Sequence, residues 1–98
     1  MTLAILRRPK AREDLIEIWS RIAEESEDAA DRFFDRVEKI LDMLGEHPQA
    51  GRSRSEIDAG LRSFPVANYV PFYRLADDTL IVTRVISGYR DLDGLDLR

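Results

Sequence analysis

The chain has 98 residues and a mass of 11.3 kDa, which gives room for one domain over 1–98 with one modest core and not for two. It is 44% hydrophobic and 35% charged, has no cysteine, and has no apolar run near membrane-spanning length; this excludes a membrane span, a disulfide framework, thiolate metal sites and thiol catalysis, and a cytoplasmic protein is expected. The net charge of −4 is uneven: residues 1–48 hold 8 basic and 12 acidic groups, whereas residues 49–98 hold seven of each, every base there being arginine. A whole-surface field that attracts nucleic acid is therefore not expected, while a local arginine cluster remains open.

Thr2 to Arg7 is short and aliphatic and reads as a first strand. Pro9 suits the first turn of a helix, where its missing N–H would be unpaired anyway. Leu15, Ile18, Trp19 and Ile22 then form one helical stripe, predicting a helix over 9–25. Ser26 is placed to cap a second helix, with Glu27 and Asp28 in its first turn. Its stripe is Ala30, Phe33, Phe34, Val37, Ile40, Leu41 and Leu44, and Gly45 and Pro48 mark its end. Two such helices joined by a short turn predict an antiparallel hairpin that needs a third layer to bury both stripes.

Residues 48–60 read as a polar loop. Three strands follow, at Leu61–Pro65, Tyr69–Leu75 and Thr79–Ser87. Ala76-Asp77-Asp78 lacks the preferred tight-turn residues, so a loop longer than two residues is expected. Pro71 removes a ladder donor and predicts an edge or a bulge. The last strand is apolar at 80, 82 and 86 but also at 81 and 85, so both of its faces should be covered, one by the helices and the other by a partner. The fold class is therefore α+β: a two-helix hairpin on a small, mainly antiparallel sheet in the order β-α-α-β-β-β, with the place of the first strand open.

That order and length resemble the ParE branch of the RelE/ParE family of bacterial type II toxins. The resemblance is carried by Ala11 and Asp14-Leu15, by Leu44 to Gly51, by Gly60-Leu61-Arg62-Ser63 with Pro65-Val66, by Tyr69 to Arg74, and by Arg84 to Leu92, which includes Gly88-Tyr89-Arg90-Asp91. It implies a ParD-like ribbon-helix-helix antitoxin as partner, with DNA contacted only through that antitoxin. It also implies DNA gyrase as target, inhibited by protein binding. The RelE branch instead cuts messenger RNA on the ribosome. In that case Arg62, Tyr89 and Arg90 would carry the chemistry, since cleavage needs proton-transfer groups and cations at one phosphate. The RelE branch's central lysines are absent here, and the tail holds Asp91, Asp93 and Asp96 in place of a tyrosine or histidine, so the ParE-like reading is preferred and no catalytic residue is expected. Ser87 stands where the family often has histidine. A toxin-like module without activity is the third reading.

The target-facing candidates are Arg62, Arg84, Tyr89 and Arg90. The plainer reading of the arginines is pairing with Asp58, Asp91 or Asp93. The antitoxin is expected to cover the helical groove and a free sheet edge, touching Leu15, Ile18, Trp19, Ile22, Phe72 and Tyr73, although Trp19 equally suits core packing. The lone histidine, His47, is read as a helix-end residue rather than a base. One histidine and scattered carboxylates give no metal-ligand spacing, and no cofactor is expected. Leu92, Leu95 and Leu97 give the C-terminal tail something to bury, so it is expected to be ordered.

Overall fold

A computed structural model describes residues 2–90, 92 and 94–98. In chain order the elements are β1 (Ala4–Arg7), α1 (Pro9–Ala23), α2 (Glu27–Glu46), β2 (Arg52–Ser53), β3 (Arg62–Ser63), β4 (Tyr69–Ala76) and β5 (Thr79–Ser87). The strands form one sheet in the order β1-β5-β4-β3-β2, in which β1 runs parallel to β5 and the other pairings are antiparallel. This α+β arrangement is the expected one, and β1 now has its place, at the edge beside the last strand.

Pro9 opens α1 as expected, and the Ser26 hydroxyl accepts from the Ala29 N–H at 3.1 Å to cap α2. Helix α2 does not stop at Gly45 but runs through it to Glu46. Gly45 is there for closeness rather than termination: a Cβ would stand 3.3 Å from the Leu3 carbonyl, and the Gly45 carbonyl accepts from the Leu3 N–H at 2.9 Å. Leu15, Ile18, Phe33, Val37, Leu41 and Leu44 of the helix pair close over Tyr73, Leu80, Val82 and Val85 of the sheet. Arg7 donates to both oxygens of Glu38, tying β1 to α2.

Three further expectations are corrected. The polar loop contains a strand, β2, which pairs only through Arg52↔Ser63 and Ser53↔Arg62; two residues are too few to show alternation. The β4–β5 connection is a two-residue turn, since Ala76 pairs with Thr79 and Asp77 takes a φ of 53°, a left-handed conformation that aspartate tolerates. Pro71 lies in an interior strand, facing the end of β3, where the Phe64 N–H still donates to the Pro71 carbonyl at 3.2 Å and the reciprocal donor is the one proline lacks. The expected bulge is present one residue on: Phe72 pairs with Arg84 and Tyr73 with Val82, leaving Thr83 without a partner. That extra residue shifts the phase of β5, so that Val82 and Val85 both face the helices while Ile86 faces away.

The third correction concerns the second face of the sheet. No partner is needed to cover it, because the chain's own C-terminal residues do so. Leu97 is 2% exposed and packs with Leu61, Phe72 and Ile86, and Leu92 and Leu95 lie against the same cluster. The Thr83 hydroxyl donates to the Leu97 carbonyl at 2.6 Å.

Candidate functional site

The sequence candidates separate into buried scaffold and exposed surface. Leu15, Ile18, Phe72 and Tyr73, expected to touch an antitoxin, are buried core residues of this chain, at most 5% exposed. Ile22 is partly buried against the same core. Trp19 alone of the six borders an open groove on the outer side of the helix pair, of about 520 Å³, with Ile16, Phe34, Asp31 and Asp35. Its indole N–H donates to Asp31 at 3.1 Å, and Ile16 beside it is 66% exposed.

Arg84 is a structural cation. Its Nε and Nη2 donate to the two oxygens of Asp14 at 2.7 and 3.0 Å, in a pair whose side chains are each 10% exposed. The hydrogen bond to Asp14 holds the Arg84 guanidinium above its ordinary pKa. The same carboxylate accepts from the Val85 N–H at 3.0 Å. That contact explains its position. β1 pairs with β5 only as far as Val82, so the chain has turned into α1 before reaching Val85, and Asp14 supplies the acceptor that a longer edge strand would have supplied. Of the partners considered for the arginines, Asp91 and Asp93 lie outside the described residues, and Asp58 pairs with Arg74 instead.

Arg62 is also occupied. Its Nη1 donates to the Gly51 carbonyl at 2.8 Å and to the Gln49 carbonyl at 3.5 Å. The Tyr73 hydroxyl donates to the Pro48 carbonyl at 2.8 Å and accepts from the Gly51 N–H at 3.0 Å. Together they pin the turn after α2, where His47 is an exposed C-cap. Burial pushes the Tyr73 phenol up, against smaller opposing effects of the Gly51 N–H and the Arg62 charge. Its contribution to stability should therefore be complete below about pH 10. It should be lost as pH rises above that value, because the unfolded tyrosine ionises while the folded one keeps its proton. Denaturation midpoints for the wild type and Tyr73→Phe, measured between about pH 8 and 11, should converge as the pH rises.

Tyr89 and Arg90 form the exposed remainder. They follow β5 in a turn in which the Gly88 N–H donates to Asn68 at 2.7 Å and the Arg90 N–H to Ser87 at 3.1 Å. Tyr89 is 85% exposed. Arg90 borders a cleft of about 390 Å³ between α1 and the end of the sheet, with Arg21, Glu17, Tyr69 and Ser87. It also borders a smaller cavity on the opposite face, with Arg54, Phe72 and Leu92. Arg54 was not among the sequence candidates; its guanidinium lies 5.4 Å from the Phe72 ring centre and donates to Ser63 and Glu56. Arg62 does not join this group. It pairs across from Tyr73, whereas the turn follows Ser87, the partner of Tyr69; four residues of strand put the two about 13 Å apart along the sheet.

The model of the ParE toxin of the type II toxin–antitoxin system parDE matches residues 5–92. The chain belongs to the ParE toxin family. Toxin ParE3 of Caulobacter vibrioides is 33% identical over 58 residues, a match covering 59% of this chain and 58% of that relative's length. Among solved structures, a chain of the chromosomal ParDE toxin–antitoxin system of P. aeruginosa superposes with a TM-score of 0.73 at 15% identity, covering 88% of this ParE family member and 96% of that chain. A chain of the toxin–antitoxin complex RelBE2 of Mycobacterium tuberculosis gives a TM-score of 0.63 at 26% identity, covering 89% and 99%. Both the expected branch and its RelE cousin thus share the fold. Among the described residues, no helix of this ParE family chain is long and apolar enough to cross a membrane, and no acidic or histidine cluster could hold a metal ion.

Proposed function

We propose that this chain is a toxin that poisons DNA gyrase by binding it, and that a ParD-like antitoxin neutralises it. The observation that carries the gyrase reading is the exposed Tyr89–Arg90 turn standing apart from an occupied Arg62. Tyrosine and arginine are the residue types that anchor protein interfaces. RNA cleavage instead needs acid, base and cation around one phosphate, and Arg62 serves the Pro48–Gly51 turn. The antitoxin's seat is read as the Ile16–Trp19–Phe34 groove, which suits an amphipathic helix, so DNA is met only through the antitoxin.

Purified protein, gyrase and supercoiled plasmid test the reading. Cleaved DNA should accumulate, and Tyr89→Ala or Arg90→Ala should raise the concentration needed by roughly 30-fold, the effect of losing one interface anchor. The likeness to the RelBE2 chain favours a second reading, a ribosome-dependent endoribonuclease. Cutting of ribosome-bound mRNA that Arg62→Ala and Arg90→Ala each abolish, with no cleaved plasmid, would establish that reading in place of the first. A chain that does neither and lets cells grow when expressed alone is an inactive binding module.

A further inference from the structure

The turn that carries Tyr89 and Arg90 is exposed, yet its underside is built. Arg90 and Leu92 line the same small cavity, of about 140 Å³, as Gly88, Phe72 and Ile86. Leu92 belongs to the cluster that Leu97 closes from the far end of the tail. Leu97 is fixed twice over: its side chain is buried against Phe72 and Ile86, and its carbonyl accepts from the buried Thr83 hydroxyl. The Arg84 Nη1 adds a contact to the neighbouring Asp96 carbonyl at 3.4 Å. Thr83 is the bulge residue of β5, the one position there without a cross-strand partner. The bulge thus does more than shift the strand's phase; it turns a hydroxyl toward the tail. On its other side the turn hangs from Asn68 through the Gly88 N–H. Leu97 is thus fastened to Thr83 in β5, and the exposed Tyr89 and Arg90 lie between these two points in the sequence.

We propose that Thr83 and Leu97 are positioning residues for the target-facing turn: by fastening the tail beneath it they hold Tyr89 and Arg90 in the geometry the target meets. This rests on the reading of that turn as target-facing. Neither residue touches the target itself. Their effect runs through order, because a loop closed at its base has fewer arrangements to lose on binding than an open one.

The test uses Thr83→Val, which keeps the shape and removes the hydroxyl, together with Leu97→Ser and the conservative Thr83→Ser. Trypsin cleavage after Arg90 of the folded protein, resolved by mass, reads the turn, and cleavage after Arg52 serves as internal control. Losing the fastening should speed cutting after Arg90 by about tenfold and leave the Arg52 cut unchanged. The concentration giving half-maximal gyrase-dependent DNA cleavage should rise by about tenfold in Thr83→Val and return in Thr83→Ser. Unchanged cutting after Arg90, or faster cutting with undiminished potency, overturns the proposal. If the wild-type protein yields no cleaved DNA, the gyrase reading is what fails. Growth arrest on expression then replaces it as the potency measure: weaker arrest by Thr83→Val with faster cutting supports the positioning role, and equal arrest overturns it.

Discussion

Asp14→Ala is expected to cost about 3–5 kcal/mol, the range for removing one partner of a buried ion pair. The loss has two parts. The Arg84 guanidinium is left without its countercharge, and the Val85 N–H is left without an acceptor where β1 has ended. Denaturant unfolding at neutral pH measures the total, and two further variants divide it. Asp14→Leu with Arg84→Met removes both charges and should recover most of the ionic share. It should still fall short of the wild type by about 1–3 kcal/mol, because the Val85 amide stays unpaired. Full recovery in the double variant would mean that the carboxylate serves only as a counterion and completes nothing in the sheet.

Gly51→Ala is the second large effect, expected at about 3 kcal/mol, the upper end for forcing extra volume into a packed site. Its backbone is not in the left-handed region, so the cost is steric. A methyl group there would overlap the Tyr73 hydroxyl and stand 2.7 and 2.8 Å from ring carbons Cε1 and Cζ. The ring cannot retreat, because Tyr73 is fully buried and its hydroxyl is held by the Pro48 carbonyl. Tyr73→Phe should therefore not rescue Gly51→Ala, since the ring carbons remain. In a Tyr73→Leu background the added methyl should cost under about 1 kcal/mol. A uniform penalty in all three backgrounds would place its origin in the backbone.

Sequence periodicity was enough for both helices, because each buries a stripe long enough to show its repeat, and β4 and β5 were legible from their β-branched and aromatic residues. β5 was legible to the residue, Thr79–Ser87. What could not be read was set by contacts between distant segments. β2 is two polar residues that become a strand only beside β3. Asp14 looks like any acidic residue of a charged helix until β5 brings Arg84 to it, 70 positions away. The mixed apolar pattern of β5 did reveal that both faces are covered, and the bulge at Thr83 is why the alternation looked imperfect. The cover itself was misassigned, because three leucines in an acidic tail carry no regular repeat. Among the candidates for function, exposure was the unreadable quantity. Arg62 and Arg84 are chemically equivalent to Arg90, and only the fold shows that carbonyls and a carboxylate have already claimed the first two.

The pairing of β1 with β5 has a consequence for how the chain is made. The first strand synthesised is stitched to the last, and the cluster under the sheet waits for Leu97. Contacts of such long sequence separation form only once the intervening chain exists. A polypeptide that has not yet emerged as far as Leu97 consequently lacks an edge partner for β1 and one of its two cores, so both faces of the sheet are completed only when residues 79–97 are free to fold.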